Sequence, residues 1–117
     1  MTQDYIYRVL GSDEWAEALS AGHYEGAAHD IADGFIHFST RATLAETLAL
    51  HYPKRPWLKL LHVPVTVVQD RLKWEPARGG TLFPHLYGVL AVEDVLRVDD
   101  LPLDDGGLHI LPEGLRL

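Results

Sequence analysis

Two histidines stand where strand-forming residues are densest. His37 lies within Asp33-Gly34-Phe35-Ile36-His37-Phe38-Ser39-Thr40, and His85 within Leu82-Phe83-Pro84-His85-Leu86-Tyr87-Gly88. Imidazole changes its charge near neutral pH, so either residue suits general acid–base work or the anchoring of a ligand. Side chains alternate along an extended chain. Phe35, His37 and Ser39 therefore share one face, and Phe83, His85 and Tyr87 share another. We expect these faces to be walls of one pocket. The competing expectation for each histidine is a half-buried ring bonded to backbone carbonyls.

Other groups could join them. Glu75 follows Trp74, and a carboxyl that loses hydration beside an indole is expected to have a raised pKa, as a general acid requires; pairing with Lys73 or Arg78 is the plainer alternative. Tyr87 can donate a hydrogen bond or stack, or serve as core. Ser39 is a candidate ligand contact. With no base in local reach it is not a nucleophile, and capping of the next helix accounts for the Ser39 and Thr40 hydroxyls. Asp30 and Asp33 flank the His37 strand and either order the preceding loop or touch ligand. Among seven histidines none shows metal-ligand spacing, His23 and His29 being the nearest pair, so no metal site is expected.

Composition excludes several classes. With no cysteine, disulfides, thiolate catalysis and cysteine-ligated zinc are ruled out. P-loop, G-x-G-x-x-G, H-E-x-x-H and G-x-S-x-G motifs are absent. A net charge of −7 argues against general nucleic-acid binding. The charge is uneven, however. Lys54, Arg55, Lys59, Arg71, Lys73 and Arg78 face only Asp70 and Glu75 over residues 54–78, a locally basic stretch that could meet phosphate. No apolar run approaches the ~20 residues of a membrane span. Met1-Thr2-Gln3-Asp4 has no signal-peptide character, so a cytoplasmic protein is expected.

The elements that would position these residues follow from periodicity. At 117 residues with 47% hydrophobic content, one domain over 1–117 is expected. Residues 5–10 alternate as a first strand. Ser12 is placed to cap a helix buried through Trp15, Ala18 and Leu19 and stopped by Gly22. Residues 23–32 lack a period and read as a long, ligand-accessible loop. After the His37 strand, Ser39 or Thr40 caps a helix with Leu44, Leu48 and Tyr52 on one stripe, ended by Pro53. Residues 57–63 read as a central strand, residues 65–72 as strand or short helix, and 71–75 as extended. Residues 76–81 form a turn, 82–92 a long strand, 91–95 a helical turn and 95–101 a last strand. The acidic tail is expected to be loosely ordered. Strands and two main helices mix without a β-α-β rhythm, so the class is α+β.

The two histidine signatures, with Ile6-Tyr7, Trp15, Leu60-Leu61 and Trp74-Glu75, resemble those of the mainly bacterial domain-of-unknown-function family DUF952, over about residues 4–102. More distantly, the order of parts resembles the ADP-ribosyltransferase-like fold, especially RNA 2′-phosphotransferases. That resemblance implies a bent, split, antiparallel-rich sheet with a cleft for NAD or an ADP-ribose-like ligand, and group transfer if the protein is an enzyme. It carries His37 over as the strand histidine and Arg8 as the nucleotide contact on the first strand. Gly34, Phe35 and Ile36 stand where the phosphotransferases have arginines. No cofactor is fixed by these residues. The expected partner is a small nucleotide-like or phosphorylated ligand, with His37, His85 and Glu75 as catalytic groups and Arg8, Asp33, Ser39 and Tyr87 as ligand contacts. A non-catalytic small-molecule or protein-binding module is the alternative.

Overall fold

The computed structural model describes residues 4–115. The apolar stretch expected to be central is central: β4 (Leu58–Pro64) lies between β1 (Tyr5–Gly11) and β8 (Arg97–Asp100) in an antiparallel sheet. Tyr5 pairs with Pro64 at one end of the ladder and Gly11 with Leu58 at the other. Both faces of this sheet are covered, which is why β4 is apolar at nearly every position. Ile6, Leu10, Leu61 and Val63 pack on one side with Trp15 and Ala18 of α1 (Ser12–Ala21). On the other side, Tyr7, Val9, Leu58 and Leu60 pack with Leu44 and Leu48 of α3 (Leu44–His51).

A second three-stranded sheet carries both histidines. β6 (Leu82–Leu86) lies between β3 (Ile36–His37) and β5 (Leu72–Pro76). One antiparallel bridge connects it to the first sheet: Tyr7 N donates to Ser39 O at 2.8 Å, and Ser39 N to Tyr7 O at 2.7 Å. A two-stranded ribbon of β2 (His23–Tyr24) and β7 (Leu90–Ala91) completes a single-domain α+β architecture. Among the described residues no helix is long and apolar enough to cross a membrane.

Several sequence expectations are corrected. The 23–32 segment is not a loop: it contains β2 and the short helix α2 (Ala28–Asp33). Periodicity misses α2 because its buried side chain is Asp30 rather than an apolar residue. Asp30 Oδ2 accepts from Ala27 N at 2.6 Å, so the acid ties down the start of its own helix. Residues 82–92 do not run as one strand. Gly88, at φ 136°, breaks them, and Arg71 fills the break by donating to Val89 O at 2.8 Å. Residues 65–72, read as strand or short helix, take the second form: α4 (Val65–Val68) followed by a 3-10 turn.

The caps differ as well. Gly11 precedes α1 and donates from its N–H to Glu14 Oε1 at 2.9 Å, while the Ser12 hydroxyl reaches Trp57 O. Thr43, not Ser39 or Thr40, precedes α3. Where a loosely ordered acidic tail is expected, the described residues form a bridge and a closing 3-10 turn. Leu103 bridges His109, and Leu115 is buried in the α3-side core.

Candidate functional site

The face alternation expected for the two histidine strands holds, but it builds one wall rather than two. β3 and β6 are hydrogen-bonded neighbours with His37 directly opposite His85, and their rings stand 5.4 Å apart. Phe35 stacks on His85 at 4.0 Å and lies 5.2 Å from Tyr87. The facing wall comes from β1 and the end of α3. Between them lies a cavity of about 590 Å³, lined by His37, His85, Tyr7 and Tyr52 and by the guanidinium-bearing Arg55 and Arg78. That volume falls in the range of small-molecule sites.

Behind this wall sits a buried ion network that locks the strand in place. Arg8 Nη1 donates to Asp30 Oδ1 at 2.8 Å and Nη2 to Asp30 Oδ2 at 2.7 Å, a bidentate pair. The remaining terminal donors reach His37 O at 3.0 Å and the Tyr24 hydroxyl at 2.9 Å. Arg8 Nε is buried without an acceptor among the described residues. Arg8 borders the cavity, yet all four of its terminal N–H groups are used inside the protein. It is therefore a structural cation, which corrects the expectation that it meets a ligand phosphate.

Asp30 accepts further hydrogen bonds from His37 N at 2.9 Å and His37 Nδ1 at 2.7 Å. Burial alone would push its carboxyl up. The hydrogen bonds from His37 and Arg8, with the Arg8 charge, outweigh burial and hold it well below the ordinary 3.8. Burial pushes the Tyr24 hydroxyl up to about 12 against the opposing Arg8 charge. Because the folded value of Asp30 is depressed, the stability it contributes is fully present above the unfolded value and is lost as pH falls. We predict that the urea midpoint falls steeply from about pH 5 to about pH 2 in the native protein, and more shallowly in Asp30→Asn. Parallel curves would remove Asp30 as the cause.

The two imidazoles are held differently. His37 Nε2 bonds Asp33 Oδ2 at 2.9 Å while its Nδ1 bonds Asp30. Carboxylates only accept, so both contacts are hydrogen bonds when the ring carries both protons. His85 has a single carboxylate: Nδ1 lies 2.8 Å from Glu75 Oε1, and Nε2 has no partner among the described residues. A carboxylate on Nδ1 fixes the tautomer that presents Nε2 as an acceptor. This is the arrangement a general base needs, with the ring lining the cavity.

Glu75 and Tyr87 stand one layer back from that cavity. Tyr87 donates to Glu75 Oε1 at 2.7 Å. The hydrogen bonds from His85 and Tyr87 hold the Glu75 carboxyl below its usual value, which corrects the expectation of a raised pKa. Glu75 Oε1 thus stands as the acceptor on His85 Nδ1. Its hydrogen bond to Glu75 pushes the Tyr87 phenol up. Ser39 borders the cavity, and its hydroxyl is shared with Thr47 at 2.9 Å. Asp33 touches His37 from outside.

No spacing pattern marks the cationic rim. Arg78 lies over the Phe83 ring at 4.8 Å and reaches Thr47 Oγ1 at 3.1 Å. Its Nε is 2.9 Å from Glu46 in an ion pair not aligned as a hydrogen bond. Arg55 lies over the Tyr52 ring at 5.5 Å. Both come from the basic stretch between residues 54 and 78, the one signal that could have found them.

His29, Asp30 and His37 also gather, with metal-ligating atoms within 4.8 Å of one another, a grouping that linear spacing hides. Both Asp30 oxygens already accept from Arg8, however, and the guanidinium charge would stand beside any entering cation. The set is therefore built as an internal ion network.

Comparisons with known proteins agree on a relationship but bring no activity. A family model described as "Protein of unknown function (DUF952)" matches residues 9–98. No curated protein matches. The crystal structure of protein CC0527 from Caulobacter crescentus is 43% identical, covers 97% of this chain and 99% of its own, and superposes with a TM-score of 0.90. A crystal structure of a double mutant of CC0527 gives the same values. The solution NMR structure of CC0527 is 44% identical over 89% of this chain and 90% of its own, with a TM-score of 0.81.

Proposed function

The chain belongs to the DUF952 family of proteins of unknown function, so the chemistry of its own cleft must carry any assignment, and we propose that this cleft binds a small, phosphorylated, nucleotide-like ligand. The observation that carries the proposal is the pairing of two features in one cavity: a carboxylate-backed imidazole, His85, and a rim bearing Arg55 and Arg78. Guanidinium groups suit phosphate. Tyr52 and Tyr7 offer ring surface for a flat, uncharged part of the same ligand.

In the catalytic form of this proposal, His85 Nε2 takes a proton from the attacking group, Glu75 keeps the ring oriented, and His37 is a fixed donor on the same wall. The proposal takes the sequence resemblance to ADP-ribosyltransferase-like proteins as its guide to ligand class. NAD and ADP-ribose are accordingly the first ligands to test.

Thermal unfolding in the presence of NAD, ADP-ribose, ADP and the uncharged nucleoside adenosine tests the proposal. A ligand at a hundred times its Kd adds about 2.7 kcal/mol, a rise of several degrees in Tm for a domain of this size. We expect the phosphorylated compounds to raise Tm and adenosine to do so far less. His85→Gln should keep that rise while turnover of the bound compound, followed by chromatography, falls roughly 10²–10⁴-fold. No shift with any of the four would overturn the proposal.

A further inference from the structure

We propose that Arg55 and Arg78 form a two-guanidinium clamp for the phosphate or pyrophosphate group of the ligand, and that the loop bearing Arg55 is held strained to aim it. This deepens the cleft reading above and rests on it. Both side chains border one cavity beside α3. Arg78 reaches Thr47 Oγ1 at 3.1 Å and approaches His51 Nε2 at 3.4 Å along the helix, and Arg55 lies over the ring of Tyr52, the residue after it.

Neither arginine is consumed as Arg8 is. No carboxylate forms an ion pair with Arg55 among the described residues; its guanidinium lies over the Tyr52 ring, with Nη2 beside Gly11. Arg78 has one acid, Glu46, whose side chain is 64% exposed. Exposed pairs of that kind contribute little and exchange readily, so an arriving phosphate can take the place of Glu46.

The loop itself supplies the second observation. Among the described residues, the non-glycine positions with positive φ are Lys54 at 58° and Trp57 at 61°. They bracket Arg55 and Pro56. A bulky residue in this region is a real outlier, and such strain gathers at ligand clamps. Packing does not explain it for Trp57, which is 81% exposed. The Trp57 carbonyl is nevertheless held, accepting from Ser12 N at 2.8 Å and from the Ser12 hydroxyl at 2.9 Å. The His109 ring holds Arg55 O at 2.7 Å. The backbone on either side of the guanidinium is therefore pinned.

The clamp borders the wall that carries His85. Arg78 covers Phe83, two residues before His85 on the same strand face, a step of roughly 7 Å.

Calorimetric titration of the full chain with inorganic pyrophosphate tests the clamp. The native protein should bind it, and Arg55→Ala and Arg78→Ala should each weaken binding roughly ten- to a hundredfold, the loss of one charge-assisted contact. Trp57→Gly should weaken pyrophosphate binding while leaving Tm unchanged or higher, a split that a merely structural loop would not produce. Equal affinity in Arg55→Ala and native protein overturns the clamp, and Trp57→Gly with undiminished affinity overturns the role given to the strained loop. If NAD or ADP-ribose raises Tm equally in native protein and Arg55→Ala, the clamp fails and the cleft reading stands. If neither they nor pyrophosphate binds, both fail.

Discussion

Arg8→Ala will lower stability by about 3–5 kcal/mol, the range for removing one partner of a buried ion pair. That is a large share of the roughly 5–15 kcal/mol that holds a domain folded. The loss comes less from the missing contacts than from what remains. The Asp30 side chain is fully buried, and without Arg8 it would keep only two backbone N–H groups, His37, and His29 at 3.6 Å. The Tyr24 hydroxyl and His37 carbonyl would lose their donor too. Urea unfolding followed by tryptophan fluorescence measures this. Arg8→Met combined with Asp30→Leu should recover much of the loss, because a buried pair replaced whole by apolar groups is often close to neutral. A single-variant loss under about 1 kcal/mol would show that the network is not what fixes the His37 strand.

Gly26→Ala should cost about 2–5 kcal/mol, the sum of an unfavourable backbone region and forced overpacking. Gly26 sits at φ 106°, and an added Cβ would lie 2.6 Å from Asp30 Cβ and 3.2 Å from Asp30 Cγ. Asp30 cannot retreat, because five donors hold it. Gly34 is the control. Its φ is 88°, yet nothing lies within 4 Å of an added Cβ, so Gly34→Ala should cost the backbone share alone, about 1–2 kcal/mol. The same urea experiment compares them. Equal losses would mean that crowding against Asp30 contributes nothing.

These two predictions rest on Asp30, the residue the sequence reveals least. Its helix carries no apolar stripe, because the side chain it buries is ionic, and the partner, Arg8, stands 22 residues earlier. Alternation, by contrast, exposes the His37 and His85 strands directly. Strand β4 and the stripe of α3 are legible for the same reason: each buries a continuous apolar face that must repeat with the period of its element. Glu75 is found, but with its pKa direction reversed. The Trp74 side chain, neighbouring in sequence, alternates to the opposite side of β5, while the cross-strand His85 supplies the hydrogen bond that decides the matter. Arg55 is visible as charge and invisible as geometry, since nothing local marks Lys54 and Trp57 as left-handed.

The paired hydrogen bonds between Tyr7 and Ser39 fasten the two larger sheets at one point beside the cleft. Backbone donors and acceptors there are already matched, so prising the halves apart would leave them bare. The gap between the jaws is consequently set before any guest arrives. For the ligand proposed above, little ordering would be left to association at this fastened edge, which favours affinity.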